Sequence, residues 1–367
     1  MTKTKVGSQI TMREIAEEAG VSIGTVSHVV NGTAGVRAKL KLRVLEAIQK
    51  LGFQPSALAQ GMRRNRIRML GIIVPDITNP FFPAVVRGAE DVAFKESYRV
   101  VLCNTDNEPA KEALYVAELR SFRASGLLII PAAGSDLISE LLADPSGIQK
   151  VVCIDRCPAG WTGDAVVALN ENGAYQATKH LIQSGHRNLA VITGPTLLAN
   201  SAERLKGFRK ALSEARITIS PEFIQEASFD SRSGYKAGMR LLRMLPRPTA
   251  ILACNDMMAL GVLHAMHELG LSCPEDVSLV GFDNLEFCEY TSPALTSVYQ
   301  PGYQMGAAAA RLLIDRINGL QDRPKRIVLE TELKVRNSVL SIAGAAEVMP
   351  QFVTRVRKRN SKRAFVT

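Results

Sequence analysis

Eight short apolar segments constrain the fold of this chain more than any other feature. They lie at residues 70–76, 98–104, 126–132, 150–155, 164–169, 188–194, 249–256 and 277–283, and amphipathic stretches separate them. Nearly continuous apolar strands that alternate with helices are typical of parallel sheets covered on both faces. The pattern therefore predicts an α/β body of two Rossmann-like lobes over residues 69–345.

Polar residues stand where most of these segments end. Parallel sheets of this kind bind ligands outside the carboxyl ends of their strands. The sequence therefore predicts a small-molecule site near Asn255, Asp256 and Asp283, and the same position is held by Asp76, Asn104, Asp155 and Thr193. For Asp256 and Asp76, capping of the next helix is an equally good interpretation.

The N-terminal segment carries the local signals of a short helix. Thr11 and Glu14 have the spacing of a capping box, in which each side chain satisfies the backbone amide of the other residue. Apolar residues then recur at helical spacing, and Gly20 supplies the left-handed residue that commonly ends a helix. The pattern predicts a helix that starts after Thr11 and ends at Gly20.

Two further helices follow at once. Ser22 is expected to cap a helix over residues 23–30, and a third helix is predicted over residues 37–51. Two short helices joined by Gly-Val-Ser and closed by a third predict an all-α helix-turn-helix headpiece over residues 9–53. The outer positions of the second helix are suited to reading a major groove, namely Ile23, Gly24, Ser27 and His28. A three-helix domain for protein contacts is the alternative.

Charge is distributed unevenly along the chain. The formal net charge is +10, of which residues 1–68 carry +8 and residues 348–367 carry +6, so the remainder carries −4. A basic head and tail suit a polyanionic partner such as DNA. The tail, residues 346–367, is predicted to be disordered, either as a solubilising extension or as a non-specific nucleic-acid clamp.

Two segments resemble a known family of regulators. Residues 10–32, ITMREIAEEAGVSIGTVSHVVNG, resemble the DNA-binding headpiece of the lactose/galactose repressor (LacI/GalR) family. Residues 51–82, LGFQPSALAQGMRRNRIRMLGIIVPDITNPFF, resemble its hinge and the start of its ligand domain. The resemblance implies a body like that of periplasmic sugar-binding proteins, with a cleft between the lobes and crossover strands near 296–301. Together with the helix positions it predicts DNA contacts from Thr11, Ser22, Ile23, Gly24, Thr25, Ser27, His28, Asn31, Ala59, Met62 and Arg63.

Residues 54–68 are predicted to form the hinge. A helix this short is marginal in water, and Gly61 weakens it by about 1 kcal/mol relative to alanine. In the resembling family the hinge helix folds on the operator beside its dimer mate, which implies that Met62 wedges into the minor groove. Family members usually have leucine there, so an ordinary linker residue is the alternative. His28 replaces an arginine that commonly reads guanine, so no operator sequence is predicted.

Position at strand ends and the resemblance together select the effector site. The position at strand ends selects Asn255, Asp256 and Asp283. The resemblance implies that Arg204 and Asp283 anchor the effector, that Phe81, Phe82 and Phe229 stack against it or form its walls, and that Asn200 and Asp155 add polar contacts. A structural ion pair between loops is the alternative for the two anchors. The purine-binding branch of the family has an arginine where this chain has Leu198. The expected effector is a sugar, a polyol or a nucleoside, and loss of that donor favours a sugar or related polyol over a purine.

Several classes of protein are excluded by what the sequence lacks. Within the predicted body no GxGxxG follows the first strand, and neither GxxxxGK[ST] nor GxSxG is present, so no catalytic residue and no cofactor are predicted. The six cysteines show no disulfide or zinc spacing, and Cys153 and Cys157 are interpreted as buried thiols in a reducing compartment. No membrane-span or signal-peptide pattern is present, so the expected location is the cytoplasm, which excludes a periplasmic transport receptor.

The sequence therefore predicts a DNA-binding transcription regulator, and a repressor by resemblance. We expect a homodimer on a pseudo-palindromic operator, because one headpiece offers too little contact area; a tetramer is left open. An effector that closes the cleft is expected to change how the hinges pack, and so the DNA affinity. A constitutive DNA-architectural protein is the alternative, but it needs no large ligand domain.

Overall fold

The computed structural model describes residues 10–30, 35–53, 68–136, 150–320 and 323–342. These fall into two compact units. The first comprises the described residues of 1–77, 82–166 and 303–327, and the second those of 78–81, 167–302 and 328–367. The predicted tail lies outside the described residues, as does the predicted hinge apart from Arg68. The predicted domain boundaries therefore stay predictions.

The headpiece is a three-helix cluster, as the sequence predicts. Its helices are α1 (Met12–Ala19), α2 (Ile23–Val30) and α3 (Ala38–Leu51). Ile15, Val26 and Val44 are completely buried at its centre, so each helix contributes one apolar side to a small shared core.

The first sheet and its helices comprise β1 (Met69–Val74), α4 (Phe81–Lys95), β2 (Arg99–Asn104), α5 (Pro109–Ser121), β3 (Gly126–Ile129), β4 (Val151–Ile154), β5 (Asp164–Ala168), α10 (Gly302–Ile317) and β11 (Arg326–Leu329). The six strands have the order β11-β5-β4-β3-β1-β2, and the pairs among β1 to β5 are parallel. The central strands β3 and β4 are buried along their whole length, whereas the edge strand β2 is partly exposed.

The second sheet and its helices comprise α6 (Asn170–Gln183), β6 (Leu189–Thr193), α7 (Ala199–Glu214), β7 (Ile224–Glu226), α8 (Ser231–Leu242), β8 (Ala250–Ala253), α9 (Asp256–Glu268), β9 (Ser278–Asp283), β10 (Thr296–Tyr299) and β12 (Glu332–Lys334). It repeats the architecture of the first sheet with the strand order β12-β10-β9-β8-β6-β7, and only the β10–β12 pair among its described strand pairs is antiparallel. All eight predicted apolar segments contain strands, and the prediction of two parallel-dominated sheets is confirmed. The short strands β7, β11 and β12 were not predicted.

Helices α4 and α10 approach each other so closely that glycine is required at the contact. A Cβ atom on Gly88 would lie 1.9 Å from the carbonyl oxygen of Tyr303. One on Gly306 would lie 1.8 Å from the carbonyl oxygen of Val85. Because backbone cannot yield as a flexible side chain can, these two positions fix the distance between the helices.

Candidate DNA-binding and effector sites

The start of α1 is fixed by the predicted capping box. The backbone amide of Thr11 donates to Oε2 of Glu14 at 2.6 Å, and the Glu14 amide donates to Oγ1 of Thr11 at 3.4 Å. Both residues are exposed, so the cap orders the helix end without being buried itself.

The turn between α1 and α2 is held from α3. Gly20 has φ +60°, and the Val21 amide donates to the carbonyl oxygen of Ala16 at 3.0 Å. Nη2 of Arg43, on α3, donates to the carbonyl oxygen of Gly20 at 3.3 Å. The angle between the two helices of the motif is thus supported by a residue 23 positions away.

Helix α2 presents its predicted DNA-reading side to solvent. Ser22 accepts from the Thr25 amide at 3.2 Å, which caps the helix. Ile23 has 51% of its surface exposed, Gly24 and His28 are exposed, and Thr25 and Ser27 are half-buried. A hollow of about 280 Å³ beside this face is lined by Thr25, His28, Gly35, Val36, Arg37 and Leu40. The other predicted DNA contacts, Asn31, Ala59, Met62 and Arg63, lie outside the described residues.

Arg204 is the centre of a buried polar cluster in the second unit. Its Nε donates to Oδ1 of Asn170 at 2.9 Å, its Nη1 to the carbonyl oxygen of Cys254 at 2.6 Å, and its Nη2 to Oε1 of Gln300 at 2.6 Å. Nη1 also lies 3.7 Å from Oδ1 of Asp283. The guanidinium group is therefore oriented by residues from four separate parts of the unit.

Two predicted effector residues beside Arg204 adopt unusual backbone conformations. Phe229 has φ +65° and Asp283 has φ +106°, values that residues other than glycine rarely adopt. The guanidinium carbon of Arg204 lies 5.9 Å from the centre of the Phe229 ring and 3.8 Å from that of Phe282. Strained backbone of this kind concentrates at ligand-binding sites, because surrounding contacts must hold it in place.

Asn255 and Asp256 have structural partners inside the second unit. Oδ1 of Asn255 accepts from the Met258 amide at 2.8 Å and caps α9, while its Nδ2 donates to the carbonyl oxygen of Phe229 at 2.8 Å. Asp256 is completely buried, and its oxygens accept from the Leu285 amide at 2.7 Å and from Oγ of Ser297 at 2.6 Å. Burial raises the pKa of Asp256 to about 6, despite these hydrogen bonds.

The remaining predicted effector residues divide between the two units. Asn200 and Phe81 belong to the second unit and are 4% and 5% exposed. Phe82 and Asp155 belong to the first unit and are also buried, and Asp155 has φ +65°. Leu198, the position that bears on purine binding, is a buried apolar residue at the start of α7.

Sequence reasoning found Asp283 but missed two other side chains that bind Arg204. Asn170 and Gln300 are buried and follow β5 and β10, so the rule for strand ends would have found them. Arg156 was also missed; its Nε donates to the carbonyl oxygen of Pro131 at 2.6 Å, and its Nη2 to Oδ1 of Asn107 at 2.9 Å.

Within the ranges that the structure covers, no group of three or more His, Cys, Asp or Glu side chains is arranged to hold a metal ion. Across the same residues, no helix has both the length and the apolar character needed to cross a membrane.

Comparison with known proteins identifies the family. Residues 11–56 match the bacterial regulatory proteins of the lacI family, and residues 178–339 match the periplasmic binding protein-like domain. The HTH-type transcriptional repressor PurR of Vibrio vulnificus (strain CMCP6) is 36% identical over 332 residues, which are 90% of this chain and 99% of that protein. The chain belongs to the lacI family. The predicted resemblance is thereby confirmed.

Solved structures agree with the lacI assignment. The complex of the transcriptional regulator CelR with cellobiose has a TM-score of 0.69 and 32% sequence identity, and the match covers 90% of this chain and 99% of that one. The lac repressor dimer bound to operator and the anti-inducer ONPF has a TM-score of 0.79 and 27% identity, over 91% and 100% of the two chains. This lacI-family chain is therefore an effector-controlled, DNA-binding transcriptional repressor and not an enzyme.

Proposed function

We propose that this protein represses transcription as a homodimer on a pseudo-palindromic operator, and that a sugar or related polyol controls its DNA affinity from a site centred on Arg204 and Asp283. The observation that carries the effector site is the buried, fully oriented guanidinium group beside an aspartate and a phenylalanine with positive φ. The lac repressor dimer on operator supports the dimer. The proposed location is the cytoplasm, where the operator is.

The proposed DNA-reading surface is the exposed side of α2, with His28 at its centre. A test of this surface needs a specific DNA sequence. Wild-type protein can select such an operator from a pool of random-sequence duplexes. His28→Ala is expected to weaken binding to the selected duplex by about tenfold or more, since one good base contact contributes about 1–3 kcal/mol. Arg13→Ala is the control, because Arg13 is exposed on α1 and pairs with Glu17 at 3.2 Å. Equal losses for the two variants would remove α2 from the reading role.

The proposed hinge is residues 54–68, with Met62 as the minor-groove wedge. Replacing Met62 by Gly is expected to reduce affinity for the selected operator far more than affinity for non-specific duplex, because only a kinked operator accepts the wedge. Fluorescence anisotropy with both duplexes at one salt concentration measures this. Equal losses on both would assign Met62 to an ordinary linker.

The proposed effector chemistry follows from Leu198 and the polar cluster. A buried leucine supplies no donor to a purine ring, whereas an arginine and a carboxylate together suit the hydroxyl groups of a sugar. The cellobiose complex of CelR supports a sugar as the ligand class. A purine is the second candidate, because the chain is 36% identical to the PurR repressor of Vibrio vulnificus, a purine-binding type of homologue.

Isothermal titration calorimetry separates the two candidates. We expect binding in a panel of cellobiose, ribose and other sugars, and none with guanine or hypoxanthine. Asp283→Asn is expected to abolish sugar binding and the response of operator affinity to sugar, while operator affinity without sugar changes little. Asp276→Asn is the matched control, because Asp276 is exposed and caps a loop through the Ser272 amide. Tight binding of guanine or hypoxanthine with no binding of sugars would overturn the proposal that the effector is a sugar.

A further inference from the structure

Cys153 and Cys157 form a thiol pair in the first unit. Cys153 is the third residue of β4 and is completely buried, whereas Cys157 is half-buried in the loop that follows. Cys157 packs against the buried apolar cluster that contains Cys153, and the pKa of each thiol is shifted by the other. Both are interpreted from the sequence as buried thiols; Cys153 is buried, whereas Cys157 is partly exposed.

The surroundings of Cys157 favour its thiolate. Nη1 of Arg326 lies 3.9 Å from the Cys157 sulfur and donates to it. The hydrogen bond from Cys153 and then the charge of Arg326 lower the pKa of Cys157, against the effect of burial. Burial raises the pKa of Cys153 well above its ordinary value. A partly exposed thiol beside a cation is the arrangement of a reactive cysteine, and its neighbour is placed to resolve it.

The other four cysteines provide an internal comparison, since all six lie in the described part of the chain. Burial raises the pKa of Cys103, and raises those of Cys254 and Cys273 to about 12. Burial also raises the pKa of Cys288, which contacts Asp256. Within the chain the balance thus favours the thiolate at Cys157 alone.

We propose that Cys153 and Cys157 are an oxidisable pair that hydrogen peroxide converts to a disulfide, and that this bond restrains the loop carrying Asp155. This is a modification site in addition to the proposed effector site. Cellular proteins rarely hold structural disulfides in a reducing compartment, but they do form transient regulatory ones.

The reaction balances in two steps. The Cys157 thiolate attacks peroxide, an S–O bond forms as the O–O bond breaks, and the departing hydroxide is protonated to water. The Cys153 sulfur then attacks the Cys157 sulfur, the S–O bond breaks, and the departing hydroxide takes the Cys153 proton as a second water. The protein loses two electrons in total, and both go to the peroxide.

The contacts of the loop between the two thiols explain why a disulfide would restrain Asp155. The Asp155 amide donates to the carbonyl oxygen of Val166 at 2.9 Å, and Arg156 is tied to Pro131 and Asn107. Beyond Cys157 the chain is exposed at Ala159 and Gly160. A bond of about 2.05 Å between the sulfurs closes a five-residue ring around Asp155.

Peptide mapping tests the pair directly. Trypsin cuts after Lys150 and Arg156, so the two cysteines fall in different peptides, 151–156 and 157–179. After peroxide treatment, alkylation and non-reducing digestion, we expect these peptides to be cross-linked, and a thiol reductant to separate them. Cys153→Ser should leave Cys157 as a sulfenic acid that dimedone captures. Cys103→Ser is the control and should retain the cross-link.

Two outcomes would overturn the proposal of an oxidisable pair. One is wild-type Cys157 advancing to sulfinic acid without any cross-link, and the other is Cys103 reacting as fast as Cys157. The rate at which Cys157 is oxidised tests the role of Arg326 independently. Arg326→Gln is expected to slow oxidation of Cys157 at least threefold, whereas Lys325→Gln, at an exposed neighbouring position, should not change it. Equal rates for both variants would remove the arginine from the site.

Hydrogen–deuterium exchange tests the restraint on the loop. Oxidation is expected to slow exchange in residues 155–161, and reduction to restore it, while residues 99–104 on the edge strand β2 stay unchanged. Unaltered exchange in a cross-linked protein would contradict the restraint. None of these measurements uses operator or effector, so their failure is distinct from failure of the proposed function.

Discussion

Nη1 of Arg204 lies 3.7 Å from Oδ1 of Asp283, with only 3% and 5% of the two side chains exposed. Two charges taken so completely out of water are stable only when each is well paired. Here Asn170, Gln300 and the carbonyl oxygen of Cys254 hold the guanidinium group from three further directions. The cluster thus supports the fold and has the rigid, oriented polar groups that the proposed effector site requires.

Removing the charge of Arg204 is expected to destabilise the protein strongly. Arg204→Met leaves Asp283 buried without its cation, and breaking a buried pair in this way costs about 3–5 kcal/mol. Lys206→Met is the control on the same helix, since Lys206 is 71% exposed and pairs with Glu171. Loss of this exposed ion pair should lower the free energy of unfolding by less than about 1 kcal/mol. Urea unfolding followed by circular dichroism measures both, and similar free energies would contradict this account.

Asp256 predicts a specific dependence of stability on pH. Its pKa in the folded protein is about 6, above the ordinary 3.8, so the folded state binds the proton more tightly than the unfolded state does. The stabilising contribution is complete below about pH 4 and is lost as pH rises through 6. We expect wild type to lose about 2–3 kcal/mol relative to Asp256→Asn across this window.

Urea unfolding at pH 4, 5, 6 and 7 measures this difference. Asp276→Asn is the control, because Asp276 is exposed. If wild type and Asp256→Asn change in parallel over the whole range, the buried carboxyl group does not titrate as described.

The turn of the headpiece predicts unequal effects of alanine at two glycines. Gly20 and Gly52 both end helices, with φ +60° and +66°. A Cβ at Gly52 meets nothing within 4 Å, so Gly52→Ala carries only the conformational cost of about 1–2 kcal/mol. A Cβ at Gly20 would lie 2.5 Å from Nη2 of Arg43, so Gly20→Ala also disturbs the contact that supports the turn.

Hydrogen–deuterium exchange of residues 12–30 reports on that turn. We expect Gly20→Ala to accelerate exchange there and to weaken operator binding more than Gly52→Ala. The opposite order would show that Arg43 does not hold the two helices.

Ser338 predicts a large effect for the loss of a single hydroxyl group. Its Oγ accepts from the Thr296 amide at 2.8 Å and donates to the carbonyl oxygen of Leu279 at 2.6 Å, and the residue is completely buried. Ser338→Ala leaves a buried amide unsatisfied, which costs about 1–3 kcal/mol. Ser121→Ala, at an exposed helix end, is the control. Thermal unfolding of both variants measures the difference, and we expect the lower midpoint temperature for Ser338→Ala.

Local signals in the sequence determined the elements of this protein. The capping box at Thr11, the helix end at Gly20 and the cap at Ser22 each involve residues no more than four positions apart. They can therefore be recognised in the sequence without knowledge of the tertiary structure. The apolar segments determined the parallel sheets for a similar reason, since a strand buried on both faces must be apolar throughout.

Only the tertiary structure decided what the polar residues do. Asn255 and Asp256 are neighbours at one strand end, yet one caps α9 and the other holds the Leu285 amide and Ser297. Cys153 and Cys157 look like two of six scattered thiols until folding brings Arg326 to one of them. Burial, hydrogen-bond partners and pKa depend on atoms far away in the chain, and sequence spacing does not encode those distances.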